Sequence, residues 1–316
     1  FESWKTKNKT VNIPGPGGGN QAAVYDDPNN WSSSNLYPST TRFGNVSLVT
    51  KDTTLFLDQK ASAKLRTGSF NVGGGGPGGT VKVPGILISG ADINVPASNI
   101  FGGNLNIANI PGAGFPYNGQ PSRFVGSYSL TNAGTDTVSC YAQLKRNGAV
   151  IATATFLTRN STTPNTFSRF DVPFVYTSCL KPDTLVIILS TSHINRLYQQ
   201  GGMTANTTLW VDSLGLTVPA GFSPTVPLNA RNDLDTMTCV NNKQFSVLSN
   251  DDTCGSTGLT MSISTQSPVG VATVVNNQVD FTLNPGAPSG FTQVRYKICN
   301  STGRCDSAFL NIYVAN

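Results

Sequence analysis

The sequence predicts an all-β protein, and three observations carry that prediction. Apolar residues recur with the two-residue period of strands rather than at helical spacing. Asn, Gly and Pro interrupt these runs at short intervals, as in sandwiches and barrels. Charged residues are 12% of the 316 residues, against about 25% in ordinary globular chains, and Glu2 is the only glutamate. A chain so poor in Glu cannot furnish the solvated faces of many amphipathic helices.

Taken in order, strands are predicted at Phe124–Leu130, Val138–Arg146, Ala149–Phe156, Phe167–Tyr176, Thr184–Ser190 and Thr208–Val218. Asn147-Gly148 joins the second and third of these as a tight hairpin, because both central positions require positive φ. The last third reads as strands at Gln244–Leu248, Val271–Val275, Gln278–Leu283, Gln293–Cys299 and Ser307–Val314, with Asn276-Asn277 as a second tight turn. Pro219–Pro227, with three prolines in nine residues, reads as a stiff linker. The expected organisation is therefore a domain over 1–218, a linker over 219–227 and a domain over 228–316. The Gly-rich runs at 12–19 and 73–79 lack the Gly-Lys-Ser/Thr that opens a helix in a phosphate loop, so they read as surface loops.

The six cysteines divide as Cys140 and Cys179 in the first two thirds and Cys239, Cys254, Cys299 and Cys305 in the last. Even numbers in each portion predict separately oxidised units. Cys299 and Cys305 flank a turn-rich segment that places them opposite each other across a hairpin, within bridging distance. The alternative is a set of buried free thiols. Disulfides imply an oxidising compartment. Phe1 and the missing leader read as a chain matured by export, so a secreted or cell-surface location is expected.

A net charge of +5, scattered along the chain, is no nucleic-acid footprint. The longest apolar run, Leu185–Leu189, is too short for a membrane helix. His193 is the only histidine and has no nucleophile motif near it, so it reads as loop surface. Glycoside hydrolysis needs two carboxyls at a set separation, and no Asp pair declares itself. No enzyme activity is expected, and no cofactor is required.

Two resemblances cover most of the chain. Phe245-Ser-Val-Leu-Ser-Asn-Asp251, Gly270-Val-Ala-Thr-Val274, Gly290–Cys299 and Gly303–Val314 resemble, in order and spacing, a bacterial Ig-like repeat of the cadherin-like tandem type. Such repeats are spacers in surface proteins, which implies an Ig-like β-sandwich here. Members often carry an Asp-rich calcium loop. The equivalent Asn250-Asp-Asp-Thr-Cys-Gly255 keeps two carboxylates and replaces the rest, so a disulfide-stapled loop is preferred over an ion site.

Phe1-Glu-Ser-Trp4, Tyr25–Trp31, Gly114–Pro121, Phe167–Tyr176, Pro182–Ser190 and Leu209–Leu214 resemble the "carbohydrate metabolism" β-sandwich of proteins exported by the type IX route. That family is similar to jelly-roll carbohydrate-binding modules, which implies a jelly-roll sandwich and glycan contact. In such modules an opening Phe-Glu and a closing Val-Asp strand often share a structural calcium, which makes Glu2 and Asp212 candidate ligands; the alternative is capping at a terminus. Phe115 and Tyr117, in a Gly/Pro loop, are the candidate sugar platforms, while Trp4 and Trp210 read as core and Trp31 as a further stacking candidate. Asp-Ser/Thr pairs resemble the O-glycosylation signal of the same bacteria, with Thr53, Thr137, Thr184, Ser213, Thr236 and Ser307 as acceptors.

These readings lead to a non-catalytic, extracellular structural or adhesive protein, self-associating as an appendage or filament subunit. The arm Lys5–Ala23 would pair strands across copies. The alternatives are a carbohydrate-binding module with an Ig-like spacer and, behind it, a carbohydrate-active enzyme. Partners would be copies of the chain, other surface proteins or glycans, with no nucleic acid and no membrane insertion.

Overall fold

Short apolar runs broken by turn residues build strand over 55% of the chain and helix over 2% in the computed structural model, an all-β protein of stacked antiparallel sheets. The structure describes residues 1–13, 19–57, 60–71, 79–91, 93, 110–197, 203–224, 226–253, 258–301 and 303–315. Most of both Gly-rich runs and Cys254 lie outside them. The chain divides into two compact units, Phe1–Val175 with Leu180–Phe222, and Tyr176–Cys179 with Ser223–Asn316.

In the first unit a five-stranded sheet runs in the order Ser168–Pro173, Arg123–Thr131, Thr208–Thr217, Ser62–Arg66 and Val49–Asp52. A larger sheet runs Ala149–Thr158, Val138–Arg146, Thr184–Ser190, Ile86–Ser89 and Trp31–Ser33, with Phe115–Pro116 beside Thr184–Ser190. Ring contacts join the two sheets: Phe156 of the larger one stacks on Phe170 and meets Tyr128, both at 4.9 Å. The other face of the larger sheet, through Tyr141, Ile188 and Ile88, packs on Val11, Ile13, Phe43, Phe70 and Val83. Cover on both faces is why Leu185–Leu189 is apolar at every position instead of alternating. The Asn147-Gly148 turn forms as expected, with φ of 50° and 80°.

Residues 4–28 depart from the expectation of a free arm. Trp4–Ile13 and Gly19–Pro28 pair with each other along ten residues, and Val11, Ile13 and Ala23 are buried against the body. One edge of each strand is therefore used inside the chain. Lys5 and Lys9 are exposed on the first of these strands.

The second unit stacks a four-stranded sheet (Asp233–Thr238, Cys305–Ala315, Gly290–Cys299, Thr260–Thr265) on a three-stranded one (Asn242–Phe245, Gln278–Leu283, Gly270–Val275). Asp233–Thr238 runs parallel to Cys305–Ala315, while the other described pairs are antiparallel. Gly290–Cys299 alternates strictly. Thr292, Val294, Tyr296 and Ile298 face the core, while Phe291, Gln293, Arg295 and Lys297 face out. The Asn276-Asn277 turn has φ of 50° and 60°.

The even division of cysteines does not hold. Cys299 and Cys305 are cross-strand partners and are bonded, with Cα atoms 4.1 Å apart. Cys179 is also disulfide-bonded. Cys140 and Cys239 are free thiols. Cys140 lies mid-strand in the sandwich interior with no exposed surface and acts as a small hydrophobe, and burial pushes its thiol far up from the usual range. Cys239 is an exposed residue at φ 50° just past a strand end.

Candidate functional site

Three separate segments of the first unit converge on one cleft of about 380 Å³, lined by Phe1, Glu2, Ser3, Pro28, Asn29, Trp31, Asp212, Ser213 and Leu214. Trp31 opens the edge strand of the larger sheet, directly after a turn in which Asn30 takes φ 62°. Its ring is held between two others, Phe1 at 5.5 Å and Phe115 edge-on at 5.6 Å. Phe115 is positioned by pairing with Leu185. The preceding Gly114 has φ 109°, and a Cβ there would fall 2.5 Å from Thr184 Cγ2, so only glycine fits. The terminus is fixed over the cleft by Trp4 Nε1 donating to Phe1 O at 2.7 Å and Asn29 N donating to Ser3 O at 2.9 Å.

The polar side of the cleft is made by a β-bulge. Between Arg123–Thr131 and Thr208–Thr217 the register slips, so that Gly126 faces two residues, Ser213 and Leu214. Ser213 takes φ 52°, a left-handed conformation that non-glycine residues adopt at a cost and that clusters at functional sites. Asp212 Oδ1 accepts the Ser213 N–H at 2.7 Å and its Oδ2 accepts Leu57 N–H at 2.7 Å. Glu2 Oε1 accepts Lys60 and Ala61 N–H, both at 3.3 Å. Asp52 adds Thr54 and Leu55 N–H to its Oδ1. Three carboxylates thus hold the segment after Val49–Asp52 in place.

The structure therefore brings Glu2 and Asp212 to one cleft, as the resemblance implied, but engages them with main-chain amides. Calcium takes six to eight oxygens. Among the described residues no group of three or more His, Cys, Asp or Glu side chains is placed to hold a metal. The arrangement supports loop fixation and lends the calcium reading no support of its own.

Phe115 joins the aromatic group beside the cleft, whereas Tyr117 is half-buried, its hydroxyl raised by burial, and is not a lining residue. Trp210, expected in the core, lies half-buried on the outward face of the five-stranded sheet. There it lines a groove of about 430 Å³ with Lys64, Arg66 and Thr208. Its Nε1 donates to Asp52 Oδ2 at 2.9 Å, and Lys64 covers its ring at 5.2 Å, so the face is occupied. His193 caps a short 3₁₀ turn, its Nδ1 accepting Asn195 N–H. Of the glycosylation candidates, Thr53 and Thr236 are exposed, while Thr137, Thr184, Ser213 and Ser307 are half-buried. In three of the Asp-Ser/Thr pairs the carboxylate accepts the next residue's N–H (Ser213, Thr236, Ser307), and in a fourth it accepts the Thr184 hydroxyl.

In the second unit the acidic loop lies against a tyrosine. Tyr296 Oη stands 2.9 Å from Arg231 O, 3.0 Å from Asp233 Oδ2 and 3.3 Å from both Asp251 oxygens. Arg231 reaches Asp252 at 2.7 Å, placing a guanidinium against that carboxylate. Burial raises both Asp233, to about 6, and Asp251, partly offset by the hydrogen bonds they receive.

Fold and cleft define an all-β protein with an aromatic and acidic depression at the edge of its first sandwich. No family model and no curated protein matches the chain. Among solved structures it is similar to an arabinose-bound GH51 α-L-arabinofuranosidase (TM-score 0.31, 11% identity, 60% of this chain and 23% of that one). It is also similar to the family 11 carbohydrate-binding module of Lic26A-Cel5E from Clostridium thermocellum (TM-score 0.29, 7% identity, 68% and 96%). A third is the M60 catalytic domain with two CBM51 domains of Clostridium perfringens ZmpB (TM-score 0.23, 9% identity, 99% and 40%). The chain spans 23% of the arabinofuranosidase's length. With TM-scores below 0.5, none of these likenesses assigns a ligand to this chain.

Proposed function

We propose that the first unit is a glycan-binding module and that the chain acts by binding rather than by catalysis. The observation that carries this is Trp31, held between Phe1 and Phe115 in a cleft whose other walls are Asn29, Ser3, Ser213, Glu2 and Asp212. Aromatic rings offer flat apolar area to the C–H face of a pyranose, and the surrounding amide, hydroxyl and carboxylate groups suit its hydroxyls. The cleft carboxylates are engaged in holding main-chain amides, which favours binding over acid–base work. The bonded cysteines Cys179, Cys299 and Cys305 support an oxidising and hence extracellular setting. No described helix is long and apolar enough to cross a membrane.

Affinity gels containing xyloglucan, mixed-linkage β-glucan, arabinoxylan or hydroxyethylcellulose test this reading. The wild type should be retarded by at least one, and Trp31→Ala should abolish that retardation without changing the circular dichroism spectrum. No retardation in any gel, or equal retardation of Trp31→Ala, overturns it. Release of reducing ends from the retarding polysaccharide overturns the non-catalytic part.

A further inference from the structure

We propose that the outward face of the four-stranded sheet in the second unit is a separate binding surface for an acidic polysaccharide. Its two central strands carry a repeating outward set: Phe291, Gln293, Arg295 and Lys297 on one, paired with Tyr313, Asn311, Phe309 and Ser307 on the other. Phe291 is 75% exposed, Tyr313 40% and Phe309 36%, an exposure that core packing does not explain and that burying a ligand would relieve.

The rings form two stations. Phe291 and Tyr313 touch at 4.9 Å at one end. Phe309 lies at the other, with the Arg295 guanidinium 5.5 Å from its centroid. Between them Gln293 Nε2 donates to Asn311 Oδ1 at 2.8 Å, and Asn311 Nδ2 donates to Asp233 O at 2.8 Å. That chain fixes both amides. Phe291, Gln293, Arg295, Phe309 and Asn311 line a groove of about 520 Å³. At ~3.4 Å per residue, the row from Phe291 to Lys297 extends about 20 Å, long enough for several linked sugar rings.

Apolar rings alternate here with hydrogen-bonding amides, which suits a sugar chain, and Leu234, 74% exposed beside Asn311 on the adjoining strand, widens the apolar part of the face. Charge selects the acidic class. The outward positions of both strands include Arg295 and Lys297 and no carboxylate, and neither cation has an ion-pair partner among the described residues. Of the two acids on the neighbouring strand, Asp233 meets Tyr296 and Asp235 is paired with Lys243 at 3.0 Å. A second copy of the same face would set these cations against their own kind.

The test uses the full chain and polygalacturonate as probe, with hydroxyethylcellulose as the neutral comparator, by calorimetric titration at low and raised salt. The wild type should bind polygalacturonate in preference, weakening as salt rises. Arg295→Ala/Lys297→Ala and Phe291→Ala should each lower the affinity by about tenfold. Lys5→Ala/Lys9→Ala, which removes the same charge elsewhere, and Trp31→Ala should leave it unchanged; this separates the proposal from the first-unit cleft. Equal binding of both polymers overturns it, as does equal loss in the Lys5/Lys9 variant. So does concentration-dependent self-association abolished by Phe291→Ala, which would make the face a protein interface.

Discussion

Replacing Asp233 by Asn should stabilise the second unit at neutral pH. Tyr296 Oη has one proton to donate and is surrounded by Arg231 O, Asp233 Oδ2 and both oxygens of Asp251. Asp251 also accepts the Arg231 N–H at 2.6 Å and Asp233 a hydrogen bond from Asn250, yet both carboxylates converge on the one Tyr296 proton, and a proton on one of them relieves the arrangement. That is why burial, with the Asp251 charge adding to it, lifts Asp233 to about 6 from 3.8. A gap of about two pH units bounds the effect at ~3 kcal/mol; Asp233 is half-buried, and solvent screening reduces this to ~1–2 kcal/mol. A group raised in the folded state contributes stability that is fully present below 3.8 and lost as pH rises through about 6. The wild-type unit should thus weaken between pH 4 and pH 7. Asn keeps an acceptor for Tyr296 and adds a donor for Asp251. Calorimetric scans of Asp233→Asn should show the second-unit transition raised by roughly 5–10 °C at pH 7.5 and by little at pH 4. A wild-type transition that climbs from pH 4 to pH 7, or an equal gain at both values, refutes the reasoning.

Gly126→Ala should destabilise the first unit by about 1–3 kcal/mol, read as a lower melting temperature. Its Cβ would stand 2.6 Å from Phe170 Cζ and 2.8 Å from Leu214 Cδ2 at the bulge; an unchanged melting temperature would mean the bulge is not held by packing. A thiol reagent followed by peptide mapping should label Cys239 in the native protein and Cys140 only after unfolding, since one is exposed and the other fully buried. Early labelling of Cys140 would contradict its place in the sandwich interior.

Local rules made part of this fold legible. Asn147-Gly148 and Asn276-Asn277 show themselves because few residues tolerate positive φ. Cys299 and Cys305 show themselves because a hairpin sets its flanks opposite each other. Leu185–Leu189 shows itself because a strand covered on both faces needs no polar alternation. The ribbon of Trp4–Ile13 and Gly19–Pro28 does not, since most of its first strand faces water and carries no apolar rhythm. The cleft was half-legible. Glu2, Asp212, Trp31 and Phe115 stand out by type, but nothing local announces that Phe1 and Trp31 meet or that a register slip turns Ser213 into the wall. Counting cysteines failed at Cys140 because a buried thiol packs as well as an alanine or valine would.

The scarcity of acid side chains then acquires a structural meaning. Few of this chain's carboxylates serve surface ion pairs; most of those described accept main-chain N–H groups where strands slip or end. Asp212 does so at the bulge, Asp183 at the Asn147 turn, Asp306 at Ala230 and Ser307, and Glu2 and Asp52 along the segment beside the cleft. Such a group must be ionised to accept freely. Burial works to raise Asp52, yet hydrogen bonds from Thr54, Trp210 and Leu55 hold it far below the usual range. Its contribution is therefore present above 3.8 and lost only as pH falls through its depressed value. Asp233 and Asp251 run the other way, raised by burial beside a single tyrosine hydroxyl. In the first unit the carboxylates of Glu2 and Asp212 build the rim of the cleft and accept main-chain N–H groups there. In the second, Asp233 and Asp251 converge on the Tyr296 hydroxyl beneath a sheet whose outer face carries cations and aromatic rings and no acid on its central strands. One sparse residue class thus serves opposite ends in the two sandwiches, which is why composition alone, the same for the whole chain, could not separate an aromatic and acidic cleft from a cationic face.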